Sequence, residues 1–438
     1  MTTVLALDVG SSSVRAQRYD ERGDPVDELR RVRSATRDPE GLVGVVREVV
    51  AGRDADVDAV GVSCFGQSLL PLNAQGRPLA KLYGWRETRS AGAAERLRGL
   101  VDAEAVRART GAYLHPSLWP AKLLWLAETQ PDVFRGAARF VSFCDYLFER
   151  LLGERAGCSL SIASGTGLLD LAGGAWDAEL LSVLGVDEER LPRLSDAPAG
   201  AWYPALIDGA CSNLGAGATG SRAALMVGTS TAFRLLYEME RPSPRPGLFM
   251  YRLDTGRVVE GGALSDGGNL IRWLRSTLKS DDADGRGVED GLTFLPLLGG
   301  ERSTGWDASA TGALAGLTFE TTPADIRRAA RQGIALRVAE IAERLPETTD
   351  VVATGGALLG DRDWIQIMAD ALGRPVTASG VLEGSLRGAA VSVLERLGYR
   401  PSEAPLGEVF HPAQDAVEAY RFARVRQRRL YEVTNGHD

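Results

Sequence analysis

The stretch Tyr203-Pro-Ala-Leu-Ile-Asp-Gly-Ala-Cys-Ser-Asn213 puts a carboxylate, Asp208, after an apolar approach of Ala205, Leu206 and Ile207, with Gly209, Ser212 and Asn213 behind it. An apolar strand ending in an acid, followed by glycine, sets that acid at the mouth of a cleft with room for a substrate. Asp208 is therefore a candidate general base for an alcohol, since an ordinary aspartate is already ionised at pH 7. The competing role is an N-cap, in which the side chain satisfies free N–H groups of a short helix. Asp8-Val-Gly-Ser-Ser-Ser13 is a second candidate. Gly10 lets backbone N–H groups approach phosphate oxygens, Ser11 and Ser12 add hydroxyl donors, and Asp8 would hold a Mg²⁺ directly or through water. An ordinary hairpin with a solvated aspartate is the plainer reading of the same letters.

Trp85, Glu87 and Arg89 stand two apart, so an extended segment would point all three one way. With the amide of Gln67 they suit a polyhydroxylated ligand; a surface turn with an anchoring tryptophan is the alternative. Lys122 follows Pro120 at a helix start, where it either snorkels or meets an acidic substrate together with Arg86, Arg89 and His115. Ser161–Gly167 reads as a packing turn. Cys211, close to Asp208, reads as a small buried thiol rather than a nucleophile.

The elements that must position these groups are legible as an α/β pattern. Residues 3–8 form a buried strand, Val14 to Tyr19 alternates as a second, and Val26 to Val32 supplies a third. Leu42, Val45, Val46, Val49 and Val50 make one helical stripe, and Val57 to Cys64 is a strand. Residues 92–109 and 120–135 read as helices. After Gly220 the opening pattern returns: Ala223–Arg234 is strand, Gly228-Thr229-Ser230 turn, strand, followed by strands at Leu248–Leu253 and Val258–Gly261. Two copies of one fold, their turns facing across a cleft, would clamp a polyphosphate from both sides. A helix follows Leu264–Asn269. Asp350–Thr354 is a strand that ends in Gly355-Gly356, where a nucleotide can approach bare backbone, ahead of helices at 362–372 and near Ser385–Leu397. Ser280–Gly287 is an acidic, glycine-bearing loop expected to be disordered. Leu214–Gly220 contains GxGxxG, but a strand follows it where a dinucleotide fold needs a helix. GxxxxGK[ST] does not occur.

At 438 residues the chain exceeds one core, and we expect domains at 1–218 and 219–438. A net charge of −8 argues against nucleic acid or an anionic membrane as partner. Four scattered cysteines without a CxxC pair suggest reduced thiols in a cytoplasm, and three histidines, one of them His437 in a tail, make a histidine-rich metal site implausible. The N-terminus runs straight into a strand without a basic leader, and no apolar run approaches the ~20 residues that span a bilayer. A homodimer stays open.

With Asp8-x-Gly-Ser, Trp85-x-Glu-x-Arg89, Asp208-Gly, Gly228-Thr-Ser and Thr354-Gly-Gly-Ala in this order, the chain resembles the FGGY carbohydrate kinases of the sugar kinase, actin and Hsp70 superfamily. His115–Trp125, Asp208–Asn213 and Gly261–Asn269 make it most similar to the gluconokinase branch. The resemblance implies two RNase H-like domains around a cleft, ATP and Mg²⁺ as phosphate donor and metal, and a small sugar or sugar acid as acceptor, first gluconate. It implies Asp8 as the metal-associated carboxylate, Asp208 as base, and Gly228 and Thr229 as the second phosphate turn. Gly268, Arg272, Gly355 and Gly356 would line the adenosine site, and Gln67, Trp85 and Glu87 would meet the sugar. Glu87 stands where the family pattern has aspartate, and the segment from Trp273 to Phe294 is short. The alternatives are a kinase for a neutral ketose or polyol such as xylulose or glycerol, and a nucleotide-driven binding protein.

Overall fold

The opening strand, Val4–Val9, is buried along its whole length, as a strand covered on both faces must be. It pairs antiparallel with Ser13–Tyr19 and parallel with Ala59–Cys64, giving a five-stranded sheet in the order Arg30–Arg33, Ser13–Tyr19, Val4–Val9, Ala59–Cys64, Leu206–Ile207. In this computed structural model, residues 2–436 are described except Ala35, Ala55, Glu154, Arg155 and residues 279–290. The loop expected at Ser280–Gly287 thus lies outside the described residues, as does His437. The helix Pro39–Val50 covers one face of the sheet. Asp38 caps it by accepting from the Gly41 N–H at 2.7 Å, Pro39 opens it, and Leu42, Val43, Val46 and Val49 are buried. Each such side chain contributes about 1.5–3 kcal/mol of hydrophobic stabilisation.

A second sheet of seven strands runs Phe249–Arg252, Arg257–Leu264, Thr231–Glu238, Arg222–Val227, Asp350–Thr354, Val376–Ser379, Leu406–Phe410. Its hairpin Arg222–Val227/Thr231–Glu238, third antiparallel strand and parallel partners repeat the first sheet's plan. The duplication read from the sequence is present, with one extra strand at each edge.

The two halves are not separate beads. The helix Gly384–Arg396 follows the second sheet but packs on the helix Asp208–Gly215 and on strands Val4–Val9 and Ala59–Cys64. Glycines allow that close crossing. A Cβ on Gly215 would meet the Gly384 carbonyl at 1.8 Å, and one on Gly388 would meet the Cys211 carbonyl at 1.9 Å. Leu386, Ala389, Ala390 and Val393 therefore belong to the first sheet's core, and a cut at 218/219 would strand their helix on the other side.

Several boundaries differ from expectation. The third strand begins only at Arg30, after the turn region has run on past Val26. The helix expected over 92–109 is two, Ala91–Leu100 and Ala103–Thr110, because Asp102 caps a new start by accepting from the Glu104 and Ala105 N–H groups. The 120–135 helix is likewise two, since Pro131 begins a new helix instead of ending one. Beyond the helix near Ser385–Leu397, which the sequence pattern suggests is the final one, the strand Leu406–Phe410 and the helix Gln414–Asn435 follow. That helix buries only Val417, Tyr420, Ala423 and Gln427, a stripe too narrow to announce itself. Among the described residues, no helix is long and apolar enough to cross a membrane.

Candidate active site

The short strand Leu206–Ile207 pairs parallel with Ser63–Cys64, so the next residue, Asp208, emerges at the carboxyl end of the first sheet. Ligands in open α/β sheets bind at this edge. Asp208 opens the helix Asp208–Gly215, but Ile207 holds the cap position and no side-chain capping bond forms. Among the described residues the carboxylate accepts only from the neighbouring Gly209 N–H, at 2.7 Å, and it lines a cavity of about 310 Å³. Burial is the main cause that pushes its pKa up to about 6; the negative charge of Asp8 adds to this, and Arg234 opposes it. Asp208 is thus a weaker acid than the ordinary aspartate expected, though still ionised at pH 7. Asp8 is buried one strand away, accepting from the Ser63 hydroxyl at 2.7 Å and paired with Arg15, which also reaches Glu383.

Both expected turns reach the same cavity. Ser11 and Ser12 line it from the first sheet, Thr229 and Ser230 from the second. Each turn is closed by one backbone bond, Gly10 N–H to Ser13 and Gly228 N–H to Ser230, both at 3.0 Å. Behind the second turn the main chain is bare. The Gly268 N–H donates to the Gly228 carbonyl at 2.9 Å, and a Cβ on Gly268 would sit 2.5 Å from that oxygen. Gly355, at φ +87, would carry a Cβ 2.5 Å from the Val227 carbonyl, while Gly356 faces open space. The protein's own main chain excludes side chains at Gly268 and Gly355; both stay part-exposed beside the exposed Gly356, and together they form a shallow cradle outside the Asp208 cavity that another molecule can approach. Arg272 lies exposed on the helix Gly268–Thr277 that starts at this cradle.

The acceptor side of the cavity corrects several expectations. Gln67 and Trp85 line it, as read from the sequence. The segment around Trp85 is a turn, not an extended run, so Trp85, Glu87 and Arg89 do not share a direction. Glu87 is buried away from the cavity in a two-bond pair with Arg89 (2.6 and 2.7 Å), whose hydrogen bonds are the main cause holding its carboxyl below the usual range. Lys122 is also off the cavity wall: its ammonium, wholly buried, donates to the Gln67 carbonyl at 2.5 Å. The Ser161–Gly167 stretch is more than packing, because Ser164 and Gly165 line the cavity. Cys211 is buried and its thiol is pushed well up by that burial, which leaves no thiolate to attack with.

Sequence reasoning missed Arg234, Tyr251, Arg302 and Trp306, all on the cavity wall. Arg234 lies in a strand whose pattern reads as core. Tyr251 sits in a four-residue edge strand, and Arg302 and Trp306 lie in an irregular segment with no period to betray them.

The chain matches the FGGY family of carbohydrate kinases, its N-terminal domain over residues 3–219 and its C-terminal domain over 223–393. It belongs to that family. It is 25% identical to a gluconokinase of Bacillus subtilis (strain 168) over 95% of this chain and 93% of that protein, and 31% identical to a glycerol kinase of Thermus brockianus over 89% of each. In fold it is similar to a ligand-bound xylulose kinase and to a gluconate kinase, both from Lactobacillus acidophilus. The TM-scores are 0.90 and 0.89, each at 24% identity and covering 99% of this chain and 98% of the other. This FGGY kinase accordingly has the two-domain α/β architecture of sugar kinases, and the actin-like binding protein is set aside.

Proposed function

We propose that this FGGY kinase transfers the γ-phosphoryl group of ATP to a hydroxyl of a small sugar acid, with D-gluconate giving 6-phosphogluconate as the first candidate. One observation carries the reading: Asp208, free of capping duty, shares a single cavity with the hydroxyl-bearing turns of both sheets. Phosphoryl transfer asks little covalent chemistry of a protein, and positioning and charge neutralisation dominate. Asp208 would accept the acceptor hydroxyl's proton as the new O–P bond forms, and such a base is worth ~10²–10⁴ in rate. Ser11, Ser12, Thr229 and the main-chain N–H groups of residues 11, 12, 229 and 230 would hold phosphate oxygens, and the cradle at Gly228, Gly268, Gly355 and Gly356, with Arg272 at its rim, would take the nucleoside.

Mg²⁺ fits this site as a phosphate- and water-held ion. Among the described residues no group of three His, Cys, Asp or Glu side chains forms a closed metal site. Asp8, already engaged by Ser63 and Arg15, would hold the ion through water, in keeping with the reluctance of Mg²⁺ to shed its hydration. When bound, the ion neutralises charge on the phosphates. The domain division proposed is 1–218 and 219–438, with the helix Gly384–Arg396 as the latter's contribution to the former's core, and a cytoplasmic enzyme suits the buried free thiols.

A neutral ketose or polyol is the second reading, favoured by the identity to the Thermus glycerol kinase. A coupled ADP-release assay over a dozen sugars, polyols and sugar acids separates the two. Gluconate should rank first in kcat/KM; glycerol or xylulose ahead of every acid would overturn the sugar-acid reading.

A further inference from the structure

The cavity that holds Asp208 also holds two arginines with unmet needs. Arg234 is only 7% exposed; its Nε donates to Asn213 at 3.1 Å, and one terminal nitrogen is buried with no partner. Arg302, on the same wall, has a buried Nε without a partner. Neither arginine takes part in any ion pair among the described residues, although their surroundings contain Asp208, Tyr251 and His115. The two cations line one cavity, and burial first, then the charge of Arg234, lowers the Arg302 pKa to about 10.

Two like charges in one cavity, Arg234 buried and Arg302 part-buried, with buried donors unspent, form a costly arrangement, which an anion resting between them would relieve. The fold goes out of its way to make it. Arg234 pairs across the sheet with Gly261, where a Cβ would stand 2.9 Å from the Arg234 Cα, so only a glycine admits that backbone. The Asp208 carboxylate is not the missing partner, since it makes no ion pair with either arginine and is the group left to accept a proton. Nearby, Trp306 stacks on Tyr113 with ring centroids 4.7 Å apart and presents an apolar wall for a carbon chain.

We infer that Arg234 and Arg302 form a carboxylate-recognition subsite, which selects an acidic polyol over a neutral one and presents its far hydroxyl to Asp208. This rests on the proposed sugar-acid kinase reading and names the residues that would make that specificity. A guanidinium fork matches a carboxylate's two oxygens as a lysine ammonium does not. The pair would meet the acid end of the acceptor, so its effect should depend on whether the acceptor bears a charge.

The test compares wild type with Arg302→Met on two acceptors that differ only at one end, gluconate and glucitol, in which CH₂OH replaces the carboxylate. Gluconate binding without nucleotide is measured by calorimetry alongside. The variant should lose ~10²-fold or more in gluconate kcat/KM, mostly through KM, with a parallel loss in calorimetric affinity. Its loss on glucitol should be less than a tenth as large, so that the acid preference collapses. Arg302→Lys should recover only part of the preference. Thermal unfolding that matches wild type, or exceeds it because an unpaired buried cation is gone, shows that the fold is intact. Equal losses on both acceptors would overturn the inference and give the arginines to the phosphoryl group. An unchanged preference would overturn it too. A wild type that prefers glucitol would sink the sugar-acid reading itself, an outcome read before any variant is made.

Discussion

Lys122 donates to the main-chain carbonyl of Gln67 at 2.5 Å, and Gln67 holds a left-handed backbone at φ +67. A non-glycine residue pays for that conformation, and the buried ammonium is what keeps it there. The pair fixes a cavity-lining amide from behind. The lysine expected to touch the substrate lies one layer back from the cavity, and we propose that it positions Gln67.

Lys122→Met should therefore impair acidic and neutral acceptors alike, by about tenfold or more in kcat/KM, because both meet a displaced Gln67. A loss confined to acids would return Lys122 to the cavity. Stability offers a second readout. Burial lowers the Lys122 pKa to about 7, below its ordinary 10.5, so between these values the unfolded chain binds more protons than the folded one. Wild type should gain stability relative to the methionine variant as pH rises from 7 to 10, and parallel denaturation midpoints across that window would contradict the assignment.

Asp208→Asn should bind acceptor and ATP nearly normally and lose ~10²-fold or more in turnover. Wild-type kcat/KM should fall as pH drops through about 6, the value to which burial raises this carboxyl, and the variant should lack that limb. The stability sign is opposite to the catalytic one. A pKa raised in the folded state contributes stability that is present below pH ~4 and is lost as pH rises through about 6. Asp208→Asn should then melt higher than wild type at pH 8 and converge with it toward pH 4. Retention of more than about a tenth of turnover would remove Asp208 as base.

Gly388→Ala adds one methyl where the Cys211 carbonyl stands 1.9 Å from the new carbon. The helix Gly384–Arg396 would have to lift from Asp208–Gly215, the helix that begins with the base. Overpacking of this kind costs about 1–3 kcal/mol, and turnover should drop with stability because Asp208 moves. A variant as stable as wild type would mean the two helices are not held at that distance.

The strands were readable because apolar runs and alternation mark them: Val4–Val9 and Arg222–Val227 differ from expectation by a residue or so. Asp208, the two hydroxyl-bearing turns, Gln67 and Trp85 reach one cavity, which their order along the chain suggested although each stretch alone also read as a cap or a plain turn. Glu87 misled because spacing of two implies one face only in an extended chain, and here the chain turns. Arg234 was hidden in a strand that reads as core, its need for a partner visible only once Asn213 and Gly261 are placed around it. The crossing of Gly384–Arg396 onto the first sheet was hidden for a similar reason. Its glycines look like helix weakeners until the partner carbonyls appear.

The hydroxyl-bearing turns lie on different sheets, and Asp208 sits between them, so ATP and acceptor together should draw the domains closed. Closure also excludes water, which would otherwise compete with the acceptor for the phosphoryl group. The link Gly215–Gly220, with three glycines between the two halves of the chain, is the natural place for a hinge. Gly215 is locked, its carbonyl accepting from Arg387 at 3.0 Å and its Cα pressed on Gly384, whereas Gly217 and Gly220 hold φ +68 and +66, the former between the buried Ala216 and Ala218 and the latter in exposed chain. Rotation should therefore fall at 217–220, accompanied by the second connection between Ser379 and Gly384. Solution scattering should show a smaller radius of gyration with gluconate and a non-hydrolysable ATP analogue together than with either alone, and ATPase without acceptor should be far below the rate with it. Replacing Gly217 and Gly220 by alanine should slow turnover without moving Asp208, since alanine resists the left-handed backbone both glycines use. Scattering without compaction, together with an ATPase rate indifferent to acceptor, would rule out the closing clamp.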